Sequence, residues 1–287
     1  MQTAPKFEKN TFGKRFRSML KVDFRRMLKS KLFYIMVACA LVIPILITVM
    51  MTMMDGSVSV NPQTGEETIM EGPENAWQSI GDPSVGVESP AGDSNAAGGA
   101  TSGAAAMGGM DVMSMCNINM MFMLVSVFIC LFISDDFRSG YAKNLFTVRV
   151  KKSDYVISKT IVGVVCGILM LTAYFIGAML GGAISGLSFD LGTLTIANIV
   201  MCMLAKYLLM LVFVSIFVLV SVAAKQKAWL AICGSLGAGM LLFMMVSMIT
   251  PLNSTIINVA LCLAGGVMFA FGLGAISNAV LKRSSLV

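Results

Sequence analysis

The chain has 287 residues, of which 57% are hydrophobic and 13% charged, against roughly half and roughly a quarter in ordinary soluble domains. That excludes a soluble globular protein, and a net charge of +6 is too small to argue for nucleic acid as a partner. Histidine is absent, which excludes hydrolases built on serine–histidine or cysteine–histidine pairs.

Residues 1–31 carry ten of the 21 lysines and arginines, and 10–30 have the period of an amphipathic helix. At 100° per residue Phe12, Phe16, Met19, Leu20, Phe24, Met27 and Leu28 share one half of the wheel, while Lys14, Arg15, Lys21, Arg25, Arg26 and Lys29 fill the other. This predicts a helix lying in the membrane interface. Asp23 falls on the apolar side, either pairing locally with Arg26 or touching another protein surface.

Apolar runs of spanning length, about 20 residues, follow near 32–54, 112–134, 160–187, 194–223, 228–250 and 255–281. The predicted class is an all-α membrane protein with six transmembrane helices. The first run is expected to stay in the membrane, because 31 residues precede it and no small-x-small cleavage pattern closes it. The seven cysteines (Cys39, Cys116, Cys130, Cys166, Cys202, Cys233 and Cys262) lie in apolar runs without a CxxC pair, so they read as small buried hydrophobes rather than metal ligands or a disulfide framework.

The segments between the runs differ sharply in charge. Residues 135–159 hold six basic residues, 224–227 two and 282–287 two, whereas 55–111, 188–193 and 251–254 hold no lysine or arginine and ten of the fifteen acids. The positive-inside rule therefore predicts cytoplasmic termini, as an even number of spans requires. The external segment 55–111 is rich in Gly, Ser, Ala and Pro, and reads as a flexible polar cap or as a small ordered lid around Ile69, Trp77 and Ile80. Its end, Met107 to Cys116, places soft ligands at spacings compatible with copper(I), against the plainer reading of packing methionines. Glycine pairs at 163 and 167, 177 and 181, and 182 and 186 have GxxxG spacing, which permits close helix packing within the chain or between chains.

No GxxxxGK[ST] loop exists, and no cytoplasmic stretch exceeds 31 residues, so the chain itself has no place for ATP hydrolysis. Within these six runs no aspartate or glutamate occurs, and the one charged residue is Lys206. Counted from the external end of its run Lys206 is near mid-bilayer, where it either faces a translocation path flanked by Asn117, Asn119 and Asn198 or bonds to backbone carbonyls or water. The segment 135–159 is the substantial internal loop. Asp135 and Asp136 oppose the dipole at a helix C-terminus but suit a helix start, which predicts a break near 134–136. A short helix follows with Tyr141 and Leu145 on one side, and Ser153 with Asp154 is expected to cap the third span.

Asp135, Asp136 and Gly140, then Asn144-Leu145-Phe146-Thr147, the basic–serine turn from Arg149 to Ser153, and Lys159 entering the next span resemble the coupling segment of type-2 ATP-binding-cassette (ABC) permeases. The overall plan resembles that family too, although Val148 stands where a proline often precedes the turn. The resemblance implies a permease subunit pairing with a second, identical or related permease and two ATPase subunits, which would hold ATP and magnesium. It also implies that Asp135, Asp136, Arg138, Gly140, Arg149, Ser153 and Asp154 contact the ATPase. The expected cargo is amphipathic or hydrophobic, such as a peptide, lipid or drug, and the expected location a bacterial cytoplasmic membrane. A channel without an ATPase partner is the alternative.

Overall fold

A computed structural model of the chain describes residues 12–56, 58–60, 67–69, 75–79, 117–147, 151–190, 195–225 and 227–283. The helices are α1 (Phe12–Lys29), α2 (Lys31–Met53), α3 (Met120–Arg138), α4 (Tyr141–Thr147), α5 (Lys152–Ile184), α6 (Ile196–Ala224), α7 (Ala228–Ile249) and α8 (Ile256–Arg283). Among the described residues five of them, α2, α3, α5, α6 and α8, are long and apolar enough to cross a bilayer, and α7 contributes a shorter apolar stretch, Ala228–Phe243.

Helices α3, α5 and α6 make the core. Phe122, Phe128, Tyr155, Tyr174, Phe213 and Phe217 are all buried there, with Phe122 and Phe213 at a ring-centroid distance of 4.5 Å. Helix α2 packs chiefly on α5, α8 on α6, and α7 on α3 and α6. The glycine pairs serve packing inside the chain: a Cβ on Gly163 would come within 2.8 Å of Val214 and one on Gly167 within 2.6 Å of Met210, while Gly177 and Gly181 lie against Leu41, Pro44 and Thr48 of α2. Gly186, at φ +71°, ends α5 in a left-handed turn, with the Leu187 and Gly186 N–H groups donating to Gly182 and Ala183 carbonyls.

The all-α expectation is amended by a ribbon in the loop after α2, where β1 (Val58–Val60) pairs antiparallel with β2 (Glu67–Ile69). A short 3-10 turn, Ala76–Ser79, then docks at the end of α5. Ala76 N–H donates to Ser188 O at 3.0 Å, Trp77 Nε1 donates to Phe189 O at 3.2 Å, and the two rings meet edge to face. Trp77 is thus an ordered anchor, as the lid alternative has it. Ile80 and the Met107–Cys116 run lie outside the described residues.

At the opposite end α1, α4 and the last turn of α8 gather around the start of α5, where Lys152 Nζ donates to Leu281 O at 2.7 Å. This is the basic end. Ser30, in extended conformation, separates α1 from α2, and Arg26 and Lys29 in the last turn of α1 suit its C-terminal dipole.

Candidate functional site

Three helices bring four charges together at the basic end. Lys159 Nζ of α5 donates to Asp23 Oδ1 of α1 at 2.8 Å and lies 2.6 Å from Asp136 Oδ2 of α3. Arg26 Nη1 donates to Asp136 Oδ1 at 2.5 Å. Tyr155 donates its hydroxyl to Asp136 Oδ2 at 3.0 Å, and Ser158 donates to Asp23 Oδ2 at 2.7 Å. The side chains of Asp23, Asp136 and Lys159 are fully buried and that of Arg26 is 28% exposed. Two cations face two anions. That balance is what allows the burial, since each isolated ion would cost several kcal/mol to take out of water.

Aromatic rings close the cluster. Lys159 lies 4.2 Å from the Phe132 ring centroid and Arg26 lies 4.1 Å from that of Tyr141, both within cation–π range. Burial opposes the Arg26 charge, but attraction to Asp136 outweighs it and the guanidinium pKa is raised. Burial, then the Asp23 charge, also pushes the Tyr141 hydroxyl up, so Tyr141 is a neutral ring under a cation. Through it α4 is joined to α1.

This arrangement corrects several expectations. The break near 134–136 is absent: α3 runs on to Arg138, because Asp136 is satisfied by Arg26, Lys159 and Tyr155, which outweighs an unfavourable dipole worth about 1 kcal/mol. The turn falls at Gly140, whose φ of +73° favours glycine. Buried carboxylates therefore do occur in the helical bundle. Asp23 pairs with Lys159 rather than Arg26. The N-cap of α5 is Lys151, not Ser153, which is half-buried and donates to Asp154 Oδ1 at 3.3 Å; Asp154 is buried in the first turn.

Of the residues expected to meet an ATPase, Asp135 and Arg138 are exposed whereas Asp136 and Asp154 face inward. Arg149 lies outside the described residues. The short helix predicted after the break is present as α4, with Lys143, Asn144 and Thr147 exposed. Sequence reasoning left Asp23, Arg26, Tyr155 and Ser158 out of the site. The signal for Asp23 was its place on the apolar face of α1.

A second polar site surrounds Lys206, which is fully buried. Its Nζ donates to Asn119 Oδ1 at 2.7 Å and to Thr250 Oγ1 at 3.1 Å. Asn117 is also brought here, its Oδ1 accepting the Asn119 N–H at 2.9 Å. Asn198 is half-buried two turns earlier on α6. Asn119 immediately precedes α3 and Thr250 immediately follows α7, so the Lys206 ammonium is level with two helix ends, one α3 length or about 28 Å from the basic end.

No curated protein and no solved structure matches the chain. Residues 91–236, just over half of the sequence, match the model of the ABC-2 family transporter proteins. That stretch holds α3, the turn at Gly140, α4, α5 and α6, while Asp23 and Arg26 of α1 and Thr250 after α7 lie outside it, and the chain is accordingly an integral membrane protein that belongs to the ABC-2 family of transporters.

Proposed function

We propose that the chain is the permease subunit of an ATP-driven exporter, working with two ATPase subunits and a second permease to move an amphipathic or hydrophobic substrate. ATP and magnesium would sit on the ATPase subunits. The observation that carries this reading is the buried charge cluster beside α4. A short helix presenting Lys143, Asn144 and Thr147 outward stacks through Tyr141 on Arg26, and Arg26 grips Asp136, which Lys159 shares with Asp23. A push on α4 from an ATPase would reach α1, α3 and α5 together, because the ion pairs resist separate movement. In this reading the basic end lies in the cytoplasm, by the positive-inside rule, and α7 crosses the membrane along with the five longer apolar helices.

Lys206 with Asn117, Asn119 and Asn198 is the proposed outer part of the path, uncovered when the ends of α3 and α7 part from α6. The test of the whole is coupling. The complex should co-purify with its ATPase, and Asp23→Asn should leave ATP hydrolysis in place while transport falls at least tenfold. Recovery of a functional chain without any ATPase would favour a channel and sink the proposal. Sidedness is read separately: an impermeant thiol reagent applied outside should label a cysteine at Ser94 and spare one at Ser139.

A further inference from the structure

A pocket of about 280 Å³ opens beside the charge cluster, between the start of α2, the last turns of α3 and the start of α7. Its lining is graded along α3. Phe128, Leu131 and Phe132 line the part toward the middle of the bundle, and Asp135 and Arg138 the part at the basic end. From Phe128 to Arg138 is ten residues, about 15 Å of helix. A wall apolar at one end and charged at the other, over that length, matches a molecule with a polar head and a hydrocarbon chain.

The rim has a definite sign. Ser30 of the lining is bracketed by Lys29 and Lys31, and Ala228 is preceded by Lys227, all three lysines exposed. The one acid, Asp135, has Arg26 at 3.9 Å, which offsets its charge. Arg138 is the cation of the lining, the three exposed lysines adjoin lining residues in the chain and add positive charge to this end of the molecule, and Phe128 and Phe132 in the wall stack at 5.7 Å and 11°. Basic pockets between transmembrane helices on the cytoplasmic side suit anionic lipid head groups.

We infer that this pocket holds an anionic phospholipid, its phosphate at Arg138 and one acyl chain along Leu131 and Phe128. The inference rests on the reading that the basic end faces the anionic leaflet. It also gives the lipid a route to the coupling machinery, because the Phe132 ring that walls the pocket carries Lys159 and Arg26 within 4.2 and 5.6 Å of its centroid.

The purified chain in detergent is incubated with dioleoyl phosphatidylglycerol or dioleoyl phosphatidylcholine, and retained lipid is counted by native mass spectrometry. One phosphatidylglycerol per chain is expected, held about tenfold better than phosphatidylcholine. Arg138→Gln should lower its retention about tenfold, the loss of one charge-assisted phosphate contact. Ala228→Trp should block the pocket to a similar degree, and Lys282→Gln, at the end of α8, should change nothing. Equal retention of the two lipids, or retention indifferent to Arg138→Gln, would overturn the assignment, as would complete displacement by millimolar inorganic phosphate, which would make the ligand a free anion. Retention in detergent does not depend on which face the basic end takes, so it can fail while labelling at Ser139 still supports the sidedness, and the reverse.

Discussion

Two lysines of the bundle are buried to the same degree and held in opposite ways. Lys159 lies between two carboxylates, Asp23 and Asp136, contributed by two other helices. The hydrogen bonds of Lys206 are of another kind: among the described residues it donates to the amide oxygen of Asn119 and the hydroxyl of Thr250, at the ends of α3 and α7. An ion pair between buried side chains of different helices ties those helices rigidly, since parting them exposes full charges to a poor solvent. A contact to a dipole at a helix end resists separation less, because such an oxygen can be exchanged for water or a ligand at smaller cost. In the function proposed above the basic end is the rigid part and the far end the part that opens.

The largest effect follows from breaking the rigid end. Lys159→Met takes from buried Asp23 the cation it pairs with and leaves Asp136 with Arg26 and Tyr155, and removing one partner of a buried ionic group costs about 3–5 kcal/mol. Thermal unfolding in detergent should report that loss, together with release of α1 to protease. The double variant Asp23→Asn, Lys159→Met, which keeps the Arg26–Asp136 pair, should recover more than half of the stability, because one cation then still faces one anion. If the single variant unfolds like the wild type, the cluster does not fix these helices.

How far each site could be read beforehand follows from the range of the forces involved. Apolar runs and charge bias are properties of the sequence itself, so the helices and the short α4 were legible, and Asp23 stood out because one acid on an apolar face violates a local period. Its partner was not legible. Lys159 lies 136 residues away, and no local preference distinguishes it from Arg26, three residues on. The same limit explains the misplaced break: a dipole argument weighs Asp135 and Asp136 alike, whereas tertiary packing buries Asp136 and leaves Asp135 outside. At the far end Asn117 and Asn119 were visible as polar residues near a span. Thr250 was missed because hydropathy averages over the helix end that puts it beside Lys206.

The lightly held site should respond less to the equivalent change. Lys206→Met leaves neutral oxygens short of a donor, a penalty of about 1–3 kcal/mol, and Thr250→Val, which removes one acceptor, should cost about 1 kcal/mol. Both should assemble with the ATPase, while Lys206→Met should lower transport if the far end opens to the substrate. A loss of stability as large as that of Lys159→Met would erase the distinction between the two lysines. Unchanged transport of every tested substrate would remove Lys206 from the path.

The smallest structural effect is expected one residue from a member of the buried cluster. Asp135 sits beside Asp136 on α3, yet its side chain is 70% exposed and 3.9 Å from Arg26. Solvent screens such a contact to about 1 kcal/mol or less. Asp135→Ala should therefore melt within a degree or two of the wild type. Its expected effect is on coupling, because Asp135 is exposed where a partner can reach it, whereas Asp136 is buried and can act only through Arg26, Lys159 and Tyr155. Substrate moved per ATP hydrolysed separates the two roles: Asp135→Ala should lower that ratio at unchanged melting temperature, and Asp136→Asn should lower both together. If Asp135→Ala leaves the ratio intact while Lys143→Glu on α4 reduces it, the partner grips the short helix alone and force enters the cluster through Tyr141.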